Sequence, residues 1–215
     1  MMIAIESTVG AGKTTLGKFL SEYTNIKLYE ELSNDDSTIL LDKFYDNQER
    51  WSFALQVHFL NERFRMIKEI NKLSSGILDR SIYGDSIFAH MLHEDGKMTN
   101  EEYNTYKTLL DSMLEHVKPP QLMIYLKCST ETAVKRIAHR NRGIETDVPM
   151  KYWMRLNEKY DLWFDQYNAT EKICLEVDDL NIYDEQQRIE FINKIITKIQ
   201  EIYDDEKNLY KDFYK

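Results

Sequence analysis

The run Ser7-Thr8-Val9-Gly10-Ala11-Gly12-Lys13-Thr14-Thr15 follows the apolar stretch Met2 to Glu6 and opens a helical pattern from Lys13 to Tyr23. A strand that turns through glycines into a helix is the opening of an α/β sheet. This one has the Walker A spacing G-x-x-x-x-G-K-[ST] except at its first position, where Ser7 stands for glycine. Backbone N–H groups around Gly10 and Gly12, with the helix N-terminus behind them, form a cradle for a triphosphate. Lys13 would reach the β- and γ-phosphates, and the Thr14 hydroxyl would bind Mg²⁺. Thr8, Val9, Gly10, Ala11, Gly12, Lys13, Thr14 and Thr15 are therefore the expected ATP contacts. A plain glycine turn between strand and helix does not account for Gly-Lys-Thr-Thr at the helix start.

The rest of the chain repeats the alternation. Short apolar runs predict further strands at Ile26–Tyr29, Gly76–Asp79, Leu122–Lys127 and Ile173–Val177. Helical spacing predicts helices over Ile39–Tyr45, Glu49–Lys72, Ser81–Leu92, Asn100–His116, Thr130–His139, Met150–Tyr167 and Glu185–Ile202. Strands alternating with helices imply an α/β fold, a five-stranded parallel sheet flanked by helices. The 215 residues suffice for one such core, expected over 1–204, with a polar tail at 205–215 that is expected to fray.

Composition narrows the partners. A net charge of −9 argues against nucleic acid, whose phosphate backbone calls for a basic surface. No apolar run approaches the roughly 20 residues of a membrane helix, and the first residues lack the basic region of a signal peptide. Cys128 and Cys174 stand far apart in apolar runs and read as reduced core thiols, so a cytoplasmic location is expected.

Polar residues collect at the strand ends, where ligands of open α/β sheets bind. Glu30 and Glu31 could supply a base for a hydroxyl acceptor, although either alone also fits a solvated turn. Asp79-Arg80 offers an acid for Mg²⁺ and a cation beside a transferred phosphoryl group, or a structural ion pair. Arg136, Arg140 and Arg142 suit a closing lid over about 136–147, whereas Arg136 alone could simply favour a helix dipole. Gln56 and Arg63, seven residues apart, share one side of a helix that is otherwise apolar on one face, which points to recognition of a base, although long helices also carry such residues on a wet face.

With these residues the chain resembles the deoxyribonucleoside kinase family, in its deoxycytidine, deoxyguanosine and deoxyadenosine kinase branch. The resemblance runs from the Ile3 strand to the region of Val177. It is most specific at Tyr45-Asp46-Asn47-Gln48-Glu49-Arg50-Trp51-Ser52-Phe53-Ala54-Leu55-Gln56 with Arg63, and at Asp79-Arg80-Ser81-Ile82-Tyr83-Gly84-Asp85. It implies a fold of the P-loop nucleoside/nucleotide kinase type with an Arg-rich lid. It also implies ATP-dependent phosphorylation of a deoxyribonucleoside 5′-hydroxyl, with Mg²⁺ as cofactor.

Carried over by the resemblance, Glu30 is the general base. The proline or glycine usual after that residue is missing, and Glu31 stands as the alternative. Arg80 resembles the arginine that contacts the 5′-oxygen, and Asp79 the acid that joins Thr14 on the metal. Gln56 would read the nucleobase and Phe88 stack on it. Tyr45 and Glu145 resemble the pair that grips the 3′-hydroxyl, and Arg136, Arg140 and Arg142 the lid arginines. Arg63 with Asp85 resembles the pair found in the branch that takes deoxycytidine and purine deoxynucleosides, so deoxyadenosine, deoxyguanosine or deoxycytidine is expected over thymidine. A homodimer and feedback inhibition by a deoxynucleoside triphosphate also follow from the resemblance, with neither nucleic acid nor membrane as partner. Two rivals are a nucleoside monophosphate kinase similar to thymidylate kinase and a catalytically inactive nucleotide-sensing subunit, the latter kept open by Ser7.

Overall fold

The computed structural model describes residues 1–32, 34–140 and 148–212, with backbone alone for Arg140 and 205–212. Strands β1 (Met2–Glu6), β2 (Leu28–Tyr29), β3 (Gly76–Asp79), β4 (Leu122–Lys127) and β5 (Glu171–Glu176) form one parallel sheet in the order β2-β3-β1-β4-β5. Parallel strands need long crossovers, and helices supply them on both faces. These are α1 (Lys13–Thr24), α2 (Asp35–Asp46), α3 (Gln48–Leu73), α4 (Ser86–Glu94), α5 (Asn100–Leu114), α6 (Thr130–Arg140), α7 (Met150–Gln166) and α8 (Glu185–Asp212).

β1 is central, and its Ile3 aligns with Ile77 of β3 on one side and Leu122 of β4 on the other. Successive strand side chains face opposite ways, so one short strand feeds two cores. Met2 and Ala4 join Leu78, Met123 and Tyr125 beneath Leu60 and Ile67 of α3, Met91 of α4 and Leu156 of α7. Ile3 and Ile5 join Ile77, Ile124 and Leu126 over Leu16 and Leu20 of α1 and Ile192 and Ile195 of α8. Leu60 and Ile67 are wholly buried, so truncating either to alanine should cost about 2–5 kcal/mol.

Local chemistry sets where the helices begin. Asn34 accepts from Ser37 N at 2.8 Å and Asn47 from Arg50 N at 3.0 Å, and Thr99 with Glu102 closes a capping box on α5. The Asn34 cap, with Asp35 and Asp36 in the first turn, starts α2 ahead of the Ile39 expected from apolar spacing. α8 continues to Asp212 rather than ending at Ile202, because a polar run free of glycine and proline does not stop a helix. Helix α4 starts at Ser86, not Ser81, since Glu6 claims the Ser81 backbone.

The strand ends Glu6, Tyr29 and Asp79 lie along the same edge of the sheet. Among the described residues no helix is long and apolar enough to cross a membrane. Both cysteines are free thiols; Cys128 is buried as expected, whereas Cys174 is exposed and not in the core, because alternate residues of the edge strand β5 face outward.

Candidate active site

The loop leaving β1 turns on Gly10 and Gly12, with φ of +87° and +101°. A Cβ on Gly10 would stand 2.4 Å from the Ala133 carbonyl oxygen, so α6 packs directly against the loop. Gly12 caps α1 without a side-chain acceptor, which leaves the first N–H groups of the helix to an anion. Ser7 is buried, and its Oγ donates to the Thr8 carbonyl at 2.7 Å. It lies outside the left-handed region, so its position does not demand glycine. Lys13 is buried at the end of the loop, where burial and then Arg80 bring its ammonium pKa down to about 8.

Across from the loop, at the end of β3, Asp79 Oδ2 accepts from the Thr14 hydroxyl. Asp79 Oδ1 is buried with no hydrogen-bond partner among the described residues. A hydroxyl and a carboxylate with a spare oxygen are hard donors that fit Mg²⁺. Arg80, the next residue, takes φ +75°, an uncommon backbone for a side chain of this size. Its N–H is held by the Ile5 carbonyl at 3.1 Å, and the following Ser81 N and Oγ both donate to Glu6 Oε1, at 2.6 and 2.8 Å. Glu6 is wholly buried, and burial raises its pKa.

The Arg80 guanidinium donates from Nε to Glu31 Oε2 at 3.0 Å, and from Nη1 to the Ser7 carbonyl at 3.2 Å and to the Tyr160 hydroxyl. Burial works against its charge, but the carboxylates of Glu31, Glu6 and Asp79 outweigh that and raise its pKa. Glu31 Oε1 takes a second hydrogen bond from Arg63 Nη2 at 2.5 Å. Burial alone would raise Glu31; Arg80 and Arg63 prevail and hold it at about 2. Arg63 Nη1 meets Asp85 Oδ1 at 2.5 Å, while Asp85 Oδ2 is buried without a partner among the described residues. Burial pushes Asp85 up to about 7 against the pull of Arg63, with Glu6 and Glu31 adding to the rise.

One cavity joins these groups, from Gly10, Lys13 and Asp79 past Arg80 and Glu31 to Gln56, Arg63 and Asp85, with Tyr45 and Phe88 in its wall. An anion cradle at one end, a hydrogen-bonding slot at the other and a carboxylate–arginine pair between them can pass a phosphoryl group to a hydroxyl of a base-bearing ligand. A family model described as deoxynucleoside kinase matches residues 3–202. The chain belongs to this family.

A deoxyguanosine kinase of Lactobacillus johnsonii is 35% identical over 211 residues, covering 94% of this chain and 93% of its own. A deoxyadenosine/deoxycytidine kinase of Bacillus subtilis is also 35% identical, over 96% and 95% of the two chains. The structure of a deoxyadenosine kinase from M. mycoides, solved with products dCMP and a flexible dCDP bound, superimposes with a TM-score of 0.79 at 26% identity, covering 94% of this chain and all of the other. This kinase is thus a phosphotransferase that uses ATP to phosphorylate deoxynucleosides in nucleotide salvage.

Within that frame the two glutamates part. Glu30 has a 40% exposed side chain and pairs with Lys18 Nζ at 3.2 Å, so the arginine at the end of β3 meets Glu31, not the Glu30 expected to be the base. The cause is local: adjacent residues leaving a strand point to opposite sides. Arg136 also departs from expectation. It donates to the carbonyls of Ala11 at 3.3 Å, Val177 at 2.6 Å and Leu180 at 3.4 Å, tying α6 to the phosphate loop and the end of β5 instead of standing free for a lid. The Arg140 side chain, Arg142 and Glu145 lie outside the described residues. Glu6 and Tyr160 were not anticipated. Glu6 left a readable signal, a charge closing an apolar strand, whereas nothing marked Tyr160 among 14 tyrosines.

Proposed function

We propose that this kinase transfers the γ-phosphoryl group of ATP to the 5′-hydroxyl of deoxyadenosine, deoxyguanosine or deoxycytidine in preference to thymidine. The observation that carries the choice of base is Asp85, buried against Arg63 with one oxygen unpaired, in the wall of the cavity that Gln56 and Phe88 also line. A charged pair left incomplete in a pocket is costly, so it favours bases whose edge completes it. Relatives named for deoxyguanosine, deoxyadenosine and deoxycytidine support the same choice.

In this reading Glu31 takes the base's place ahead of Glu30. A carboxylate held near 2 by two arginines is a weak proton acceptor, but a loose phosphoryl-transfer transition state asks it chiefly to orient the 5′-hydroxyl. Gln56 reads the base edge, Phe88 stacks on it, and Tyr45 lies toward the sugar. Lys13 and Arg80 stabilise charge on the phosphoryl group in flight. Thr14 and Asp79 would hold Mg²⁺, which when bound neutralises charge on the phosphates. Arg140 and Arg142 remain proposed lid cations and Glu145 the partner of Tyr45.

A homodimer through α3 and α5 is proposed with this function, supported by the partly buried Phe53, Phe64, Tyr103 and Leu109 on those helices. Feedback by a deoxynucleoside triphosphate is proposed on the M. mycoides structures with bound dCTP and dATP. Free thiols agree with a cytoplasmic location.

The test is ADP release from Mg-ATP with each of the four deoxyribonucleosides and their monophosphates. Turnover with deoxyadenosine, deoxyguanosine or deoxycytidine, and none with monophosphates, is expected. A preference for thymidine would overturn the role given to Asp85, and turnover confined to monophosphates would overturn the acceptor site as a whole.

A further inference from the structure

We propose that Tyr160 is a positioning residue for Arg80, its hydroxyl deciding which edge of the guanidinium faces the transferred phosphoryl group. The proposal rests on the role given to Arg80 above.

A guanidinium presents its donors in a rigid fork, so fixing two of its nitrogens fixes the third. Nε is committed to Glu31, and Nη1 is shared by the Ser7 carbonyl and the Tyr160 hydroxyl. Among the described residues Nη2 has no hydrogen-bond partner. Arg80 itself lines the cavity between Lys13 and Glu31. Two of the three nitrogens therefore orient the group and one is left for substrate.

The hydroxyl matters because a competing acceptor stands nearby. Glu6 Oε2 is 3.9 Å from Arg80 Nη1, wholly buried and without a hydrogen-bond partner among the described residues. Without the Tyr160 oxygen, Nη1 keeps only the Ser7 carbonyl and faces an unpaired carboxylate. The guanidinium would then turn toward Glu6 and carry Nη2 off line. Burial keeps the Tyr160 hydroxyl protonated, so it directs Arg80 without neutralising it.

The ring is fixed independently of the hydroxyl. Tyr160 is 1% exposed, stacks on Tyr125 at 6.4 Å and meets Phe88 edge-on at 6.1 Å. Phe88 and Tyr160 both lie against the guanidinium, their ring centroids 4.9 and 5.6 Å from its central carbon. Tyr160→Phe keeps this packing and deletes the directing atom alone.

The experiment compares Tyr160→Phe with the wild-type chain in steady-state assays with Mg-ATP and the best deoxynucleoside, alongside thermal unfolding. Since a displacement near 1 Å can cost about 10²-fold, kcat should fall about tenfold or more, with both KM values within about twofold, while loss of one buried hydrogen bond lowers the melting temperature by only a few degrees. Tyr125→Phe removes a hydroxyl that donates to Asp161 at 2.7 Å and does not touch Arg80, and it should leave kcat intact. On an Arg80→Lys background, Tyr160→Phe should add less than about twofold. Unchanged kcat in Tyr160→Phe, an equal loss in Tyr125→Phe, an undiminished loss on the Arg80→Lys background, or a loss carried by raised KM values instead of kcat each overturns the proposal. If Arg80→Lys by itself leaves kcat unchanged, the role of Arg80 fails first and that of Tyr160 falls with it.

Discussion

Glu31 accepts hydrogen bonds from Arg80 at 3.0 Å and from Arg63 at 2.5 Å, so one carboxylate links the residue beside the phosphate loop to the residue beside the base slot. Replacing it with Gln keeps the shape and removes the charge both arginines share. Glu31→Gln should lower kcat by about 10²-fold or more, the cost of losing the orientation of the attacking hydroxyl. Glu30→Gln, which loses a solvent-exposed pair with Lys18, should stay within about twofold. Steady-state kinetics on the two variants check this, and the reverse ranking would restore Glu30 as the base.

Deoxynucleoside binding should depend on pH through Asp85. Arg63, Glu6, Glu31 and Arg80 all act on this group, and burial pushes it up to about 7. Its folded-state pKa is raised, so its own contribution to stability is full below the ordinary carboxylate range and lost as pH rises through about 7. Ligand binding runs the other way, because the carboxylate accepts from a base N–H more strongly than the neutral acid does. Affinity should therefore improve as pH rises from 6 to 8, with proton release on binding. Calorimetry in two buffers of different ionisation heat measures both, and Asp85→Asn should flatten the profile.

Thr14 and Asp79 can be tested through the Mg²⁺ requirement. Thr14→Val removes a hydroxyl at a metal oxygen site, so the Mg²⁺ concentration for half-maximal rate should rise about 10–100-fold while the deoxynucleoside KM holds. A Mg²⁺ titration of the rate decides it. An unchanged requirement would place the metal elsewhere.

The phosphate loop makes opposite predictions for two of its residues, Gly10 and Ser7. Gly10→Ala puts a Cβ 2.4 Å from the Ala133 carbonyl oxygen at φ +87°, and should cost about 1–3 kcal/mol of stability and weaken ATP binding. Ser7→Gly should leave kcat within about threefold, because Arg80 bonds the Ser7 carbonyl and not its side chain. Thermal melts and ATP affinity follow the first; activity follows the second, and a large gain there would show that Ser7 had impaired the loop.

Periodicity and punctuation alone determined the layered α/β plan. Apolar runs at Met2–Glu6, Gly76–Asp79 and Leu122–Lys127 are the strands observed, because a strand buried on both faces cannot hide its composition. The glycine turn with Lys13 and Thr14 was legible for the same kind of reason: a backbone cradle needs particular residues at fixed spacing. Polar helix ends were less legible. Asn34 and the run beyond Ile202 carry helix through hydrogen bonding and propensity rather than apolar spacing.

What only the tertiary structure decided is which side chains meet. Glu30 and Glu31 are chemically equal in sequence, and the direction in which each leaves β2 separates a surface pair with Lys18 from a link between two buried arginines. Arg136 reads as a lid cation until three carbonyls from distant segments claim it. Tyr160 lies 80 residues from Arg80. Spacing reports contacts within one helix or strand, whereas these contacts form across crossovers, where distance along the chain carries no information about distance in space.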